Sequence, residues 1–210
     1  MEKELRKHCS EVRAAENRMV DGYALVFNSL SEDLGGFKEM ILPEAITDVL
    51  ERSDVFALFN HDNEKVLARS KYGKGSLQLV VDEKGLRYSF DAPKNDLGNT
   101  LLEFLTRGDI DSSSFAFTVA EDKWEKQNDG MYIRTITKFD RLFDISPVWE
   151  PAYQATSVKC ARFAEIQEEE RKEAERLIAE KEAEELRMKQ EQEAHLETYY
   201  NNLRKEIEEI

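Results

Sequence analysis

The chain is poor in cysteine, and the two it has, Cys9 and Cys160, lie too far apart to show a metal-binding spacing. With no secretion signal in view they read as reduced thiols, and no cofactor or metal is implied. No apolar run approaches the roughly 20 residues of a membrane span, and the opening MEKELRKHCSEVR lacks the apolar core of a signal peptide. A soluble, intracellular protein without a membrane partner is expected. Positive charge is also scarce: the formal net charge is −14, against the clustered Lys and Arg that nucleic acid demands. Histidine is limited to His8, His61 and His195, which narrows any search for a general base.

What is present is unevenly spread. Aromatic and β-branched residues crowd the region up to Phe163, and the remainder is mostly Glu, Lys, Arg, Gln and Ala. From Phe163 onward 16 Glu stand against 8 Lys and Arg, so −8 of the −14 lies there. The expected organisation is a charged N-terminal arm over 1–17, one globular domain over 18–160, and an acidic helical tail over 161–210.

The globular region alternates short strands with few helices. The arm lacks clean periodicity and reads as a short helix or a mobile segment. Met19 to Asn28 reads as a strand with a central glycine, Gly22. Pro43 opens a helix, PEAITDVLER, at a position that tolerates proline. Val55 to Asn60 is a buried strand ending in His61-Asp62-Asn63, and Ser76–Val81 and Leu86–Asp91 are strands joined by a turn. Asn95 to Thr106 is a helix with Leu97, Leu101, Leu102 and Leu105 on one face. A hairpin pivots on Asp129-Gly130, and Tyr132 to Val148 forms a strand interrupted around Lys138 to Arg141 before Pro147 and Pro151 end the sheet. In the tail, Leu196, Tyr199, Tyr200, Leu203, Ile207 and Ile210 recur at helical spacing, the pattern of a coiled-coil or partner-binding helix.

The segment RGDIDSSSFAF, Arg107 to Phe117, draws the chemistry together. Alternation puts Ser114, Ala116 and Thr118 on one small, hydroxylated face and Phe115, Phe117 and Val119 on a buried aromatic one. By itself such a serine more often bonds nearby backbone than reacts. A serine nucleophile needs a base, normally histidine, held by a third group. His8 lies in the arm and His195 in the tail, leaving His61 by elimination. For the third group Asp144, Glu150 and Asp62 are all available, and spacing does not choose among them, although Asp62 adjoins His61 and would point to the opposite face of an extended segment.

The strand GYALVFNSLS, the helix opened by ILPEAI, the run DVFALFNHD, the segment RGDIDSSSFAF and the closing LFDISPVWEPAYQAT occur in an order that resembles the prohead maturation proteases of tailed bacteriophages. These are serine peptidases distantly related in fold to herpesvirus assemblins. The resemblance covers roughly 18–160 and places the family histidine on His61, the serine of its MSFGF motif on Ser114, and the acid before its closing S-x-V on Asp144, where many relatives carry glutamate. Ser113 stands for the usual methionine and Ala116 for the usual glycine. The fold implied is α+β, a mainly antiparallel sheet closing toward a barrel with covering helices, plus a long C-terminal helix. The implied activity is cleavage of the scaffold region of the major capsid protein, and of the protease itself, inside the assembling procapsid in the host cytoplasm. A homo-oligomer follows by analogy with the assemblins, and Gly108 to Asp111 is a guess for the oxyanion donors. A scaffolding protein without enzymatic activity, working through its acidic tail, is the alternative.

Overall fold

The computed structural model describes residues 3–8, 12–14, 16–149 and 161–208, and the chain divides into two units, Met1–Ser157 and Val158–Ile210. The first begins with β1 (Glu4–His8), β2 (Arg13–Ala14), β3 (Met19–Val26), β4 (Phe37–Ile41), α1 (Val49–Arg52), β5 (Asp54–Phe59) and β6 (Asp62–Lys71). It continues with β7 (Lys74–Gly75), β8 (Gln78–Val81), β9 (Gly85–Asp91), α2 (Asp96–Arg107), β10 (Ser112–Lys126) and β11 (Tyr132–Val148). The second unit is α3 (Ala161–Glu208).

A seven-stranded sheet runs β1-β10-β11-β5-β6-β7 with β4 as its seventh strand, paired to β11 off this path, and a four-stranded sheet runs β2-β3-β9-β8. The long β11 serves three partners: it is antiparallel to β10 along its length, parallel to β4 at Tyr132–Ile136, and parallel to β5 at Asp144–Ile145. Inward-facing residues of both sheets join in one core, with Leu25, Leu86 and Phe90 from the smaller sheet and Phe115, Phe117, Phe139 and Ile145 from the larger. The rings of Phe117 and Phe139 stack at 4.6 Å, and Phe115 lies 5.1 Å from Phe117. Leu101 and Leu105 of α2 close the core, as their four-residue spacing on one helix face requires. The ends of α2 are fixed locally: the Asn95 side chain accepts a bond from Gly98 N at 2.9 Å, and Gly108 takes the left-handed conformation just past the last turn.

The fold is thus mixed α and β, dominated by sheet, with a long C-terminal helix. Several expectations need correction. Among the described residues neither sheet closes on itself, since the edge strands β1 and β7 do not pair, so the expected closure toward a barrel is not borne out. The N-terminal segment is neither helix nor loose arm: β1 adds to β10 and β2 adds to β3. Its helical reading fails because Arg6, a charged residue without an apolar periodicity, is buried through ion pairs. The helix from Pro43 breaks into a 3₁₀ turn, Pro43–Ile46, and α1, where Thr47 turns its hydroxyl back to the Glu44 carbonyl. β11 is continuous through 138–141, and the irregularity appears as register shifts against β10 between Ala116 and Asp122. Both faces of β10 around Ser114 are buried, not only the aromatic one.

The helix α3 is lined with ion pairs at helical spacing, including Arg171 with Glu168 at 2.8 Å and Arg176 with Glu173 at 2.6 Å. Leu177, Ile178, Leu186, Met188 and Leu196 are exposed along it. The side chains of Tyr199, Tyr200, Leu203, Ile207 and Ile210 lie outside the described residues, as do Cys9, Glu150, Pro151 and Cys160.

Candidate active site

Three adjacent strands, β10, β11 and β5, carry the site. Ser114 lies directly opposite Ser146 across the antiparallel pair, and Ala116 lies opposite Asp144. Since alternate residues of a strand share a face, Ser114, Asp144 and Ser146 project to the same side. The parallel pairing of Asp144 with Phe56 brings β5 alongside.

His61 comes from the turn that ends β5. Phe59 pairs with Asp62, so Asn60 and His61 form a two-residue hairpin loop. Both have positive φ, 53° and 59°, the requirement of a type I′ turn usually met by Asn-Gly. Asparagine and histidine are among the side chains that tolerate this region best, at a cost of about 1–2 kcal/mol per residue. The Asn60 amide donates to the Pro147 carbonyl at 3.1 Å, which ties the turn to β11 close to Asp144.

The imidazole thereby bridges the other two groups. His61 Nδ1 is 2.5 Å from Asp144 Oδ1, and His61 Nε2 is 2.6 Å from Ser114 Oγ. Asp144 is 2% exposed. Burial opposes its ionisation, but the hydrogen bond and charge of His61, the Ser146 hydroxyl and the Lys3 ammonium outweigh it and hold the carboxyl below the usual aspartate range. Ser146 Oγ donates to Asp144 Oδ1 at 2.8 Å, and Lys3 Nζ donates to Oδ2 at 3.3 Å. An ionised Asp144 can only accept, so the Nδ1 proton is placed between it and the ring, leaving Nε2 of a neutral imidazole facing the serine hydroxyl.

Ser114 has a second acceptor in reach: its hydroxyl can donate to the Arg6 carbonyl of β1 at 2.9 Å. One proton serves one of the two acceptors at a time.

The remaining candidates fall elsewhere. Asp62 is engaged with Lys65 at 2.9 Å and with the Glu64 amide, away from the imidazole. Glu150 lies outside the described residues. In the guessed donor segment, the amides of Gly108, Asp109 and Ile110 are spent on the Leu105 and Phe104 carbonyls at the end of α2, so they do not serve an oxyanion. Sequence reasoning missed Ser146, although its place two residues from Asp144 on an alternating strand was a signal for it. It also missed why Ser113 fits: its hydroxyl meets the Tyr88 hydroxyl at 2.8 Å, joining the two sheets in the core.

A hydroxyl, an imidazole and a carboxylate in this order of contact are the arrangement that serine proteases use. Residues 4–172 match the family described as Caudovirus prohead serine protease. The chain belongs to that family and is a serine protease. Among solved structures, the capsid assembly protease of bacteriophage T4 is similar with a TM-score of 0.47 and 13% identity, over 72% of this chain and 100% of that one. No curated protein sequence matches the chain.

Proposed function

We propose that this protease matures the phage procapsid from within, cutting the scaffold region of the major capsid protein and then itself, with Ser114 as nucleophile, His61 as general base and acid, and Asp144 as the group that orients His61. The observation that carries the roles is the unbroken contact from Asp144 Oδ1 through the imidazole to Ser114 Oγ, at 2.5 and 2.6 Å. Family membership over 4–172 supplies the prohead setting.

Ser114 Oγ attacks the scissile carbonyl as Nε2 takes its proton. The carboxylate of Asp144 stabilises the imidazolium that forms, and it is poised to do so because its neighbours keep it charged in a buried place. Nε2 then returns the proton to the leaving amine, and water repeats the sequence on the acyl-enzyme. Ser114 and Asp144 lie on paired strands and His61 on the turn that ends β5, so the three groups need little movement relative to one another during the reaction.

Co-expression with the neighbouring capsid protein, followed by intact-mass spectrometry of both chains, tests this reading. The wild type should trim the capsid N-terminal region and its own tail, and Ser114→Ala should trim neither. Assembly of intact chains in both cases, inside a properly formed shell, would favour the scaffolding role instead.

A further inference from the structure

A protease that takes its substrate as an added strand offers it a sheet edge beside the nucleophile. Here β10 carries Ser114, one neighbour of β10 is β11, and the other is the chain's own β1. The register sets Arg6 opposite Phe115 and Lys7 opposite Ser114, so the Arg6–Lys7 peptide bond lies beside the nucleophile. The Arg6 carbonyl oxygen accepts from Ser114 Oγ at 2.9 Å, which brings the carbonyl carbon, one bond further on, next to the attacking atom.

The side chain of this residue is lodged as well. Arg6 is 6% exposed, and its guanidinium donates through Nε and one terminal nitrogen to the two carboxylate oxygens of Glu39, each at 2.9 Å. This is the bidentate geometry that separates arginine from other cations. The guanidinium also lies over the Phe117 ring at 5.6 Å and touches Glu4. Glu4, two residues earlier on the same face of β1, accepts from Arg134 at 2.6 and 2.9 Å. Glu39 and Arg134 are themselves paired at 2.9 Å across β4 and β11. The globular frame thus offers Glu39 to the residue at position 6 and Arg134, itself also paired with Asp122 at 2.8 Å, to the residue at position 4, and β1 answers each with its opposite.

We propose that the β10 edge is the substrate groove, that β1 fills it in the resting chain as an internal substrate mimic, and that Glu39 selects an arginine or lysine immediately before the cleaved bond. The inference rests on the protease reading and adds the chemistry of its substrate: a strand with a basic residue at the cut and, two residues earlier, an acidic one that Arg134 receives. While β1 is in place the Ser114 proton has the Arg6 carbonyl as an alternative acceptor to His61; an incoming strand must displace β1 to be cut.

The test uses the full-length chain and two synthetic peptides carrying a fluorophore and quencher. One has the sequence of residues 3–8, Lys-Glu-Leu-Arg-Lys-His, and the other has alanine in place of the arginine. Wild type, Arg6→Ala, Glu39→Gln and Glu39→Asp are compared, with circular dichroism to confirm folding and a fluorophosphonate to count reactive Ser114. Wild type should favour the arginine peptide by about tenfold or more in kcat/KM, and Glu39→Gln should shrink that ratio to about twofold. Arg6→Ala, whose β1 has lost its anchor, should cut the arginine peptide faster than wild type. If Glu39→Gln does not fold, Glu39→Asp and Arg6→Ala carry the comparison. Labelled Ser114 together with no preference for arginine, or a preference unchanged by the Glu39 substitutions, overturns the inference and leaves the protease intact. No labelling and no cleavage of any peptide overturns the protease reading, and this one with it.

Discussion

Ser146 and His61 meet on a single atom: the Ser146 hydroxyl donates to Asp144 Oδ1 at 2.8 Å, and His61 Nδ1 approaches the same oxygen at 2.5 Å. Asp144 is thereby held between a partner on its own strand and the imidazole of His61. Ser146→Ala removes the first without touching the second. A loss of roughly tenfold in kcat is expected, well short of the ~10⁴ that follows when the acid itself is neutralised in a triad. KM should stay nearly constant, and steady-state kinetics on a peptide substrate separate the two.

Ser114→Ala deletes only a hydroxyl. Cleavage should fall by about 10⁶ in kcat, with a circular dichroism spectrum equal to wild type, and His61→Ala should fall comparably because the pair acts as a unit. A variant lacking the hydroxyl that still processes substrate would remove Ser114 from the mechanism.

Asp144 also leaves a mark on stability. Its folded-state pKa lies below the ordinary aspartate value of 3.8. A depressed carboxyl contributes stability that is present above the unfolded value and disappears as pH falls through the folded one. The gap in denaturant midpoint between wild type and Asp144→Asn should therefore be widest near neutrality and close below about pH 3.8. Urea unfolding at pH 7 and pH 3 reads this directly, and a gap of equal size at both would contradict it.

Tyr88 and Ser113 form a second polar pair, this one in the core between the sheets. Burial pushes the Tyr88 phenol above its ordinary value, and the hydroxyl of Ser113 opposes that shift. Ser113→Ala strands the phenol and should cost about 1–3 kcal/mol. Adding Tyr88→Phe should return much of the loss, since replacing both partners leaves nothing unsatisfied. Thermal or urea unfolding of the four proteins in the cycle gives the coupling.

Removal of 173–210 spares every residue of the site and every residue matched by the family. Peptide hydrolysis should persist at the wild-type rate, whereas the number of copies packaged per procapsid should fall. Packaging at the normal copy number would dismiss the tail as a docking element.

Alternation made the face of Ser114 legible in the sequence, and the scarcity of histidine isolated His61 there as well. The carboxylate that reaches His61 was harder, because only pairing across strands shows that Asp144 shares a face with Ser114, while the neighbouring Asp62 turns away to Lys65. β6 escaped notice because its first half, Asp62–Lys65, is charged and exposed and mimics a loop. β1 escaped for the opposite reason: its inward residue, Arg6, is buried by ion pairs with residues far along the chain, which no local periodicity encodes. The two-residue turn was hidden by the absence of glycine, since His61 occupies the position where glycine normally announces it.

The proposed nucleophile and acid, Ser114 and Asp144, ride on one hairpin, β10–β11, and the proposed base, His61, rides on another, β5–β6. Between them the backbone ladder comprises two pairs, Asp144 with Phe56 and Ile145 with Ala57, reinforced by Asn60 reaching the Pro147 carbonyl and Arg52 reaching the Phe139 carbonyl at 2.6 Å. That ladder is short, and a slip of one residue there would part imidazole from hydroxyl while each hairpin kept its own bonds. On mild denaturation, turnover should fade before the sheet signal does.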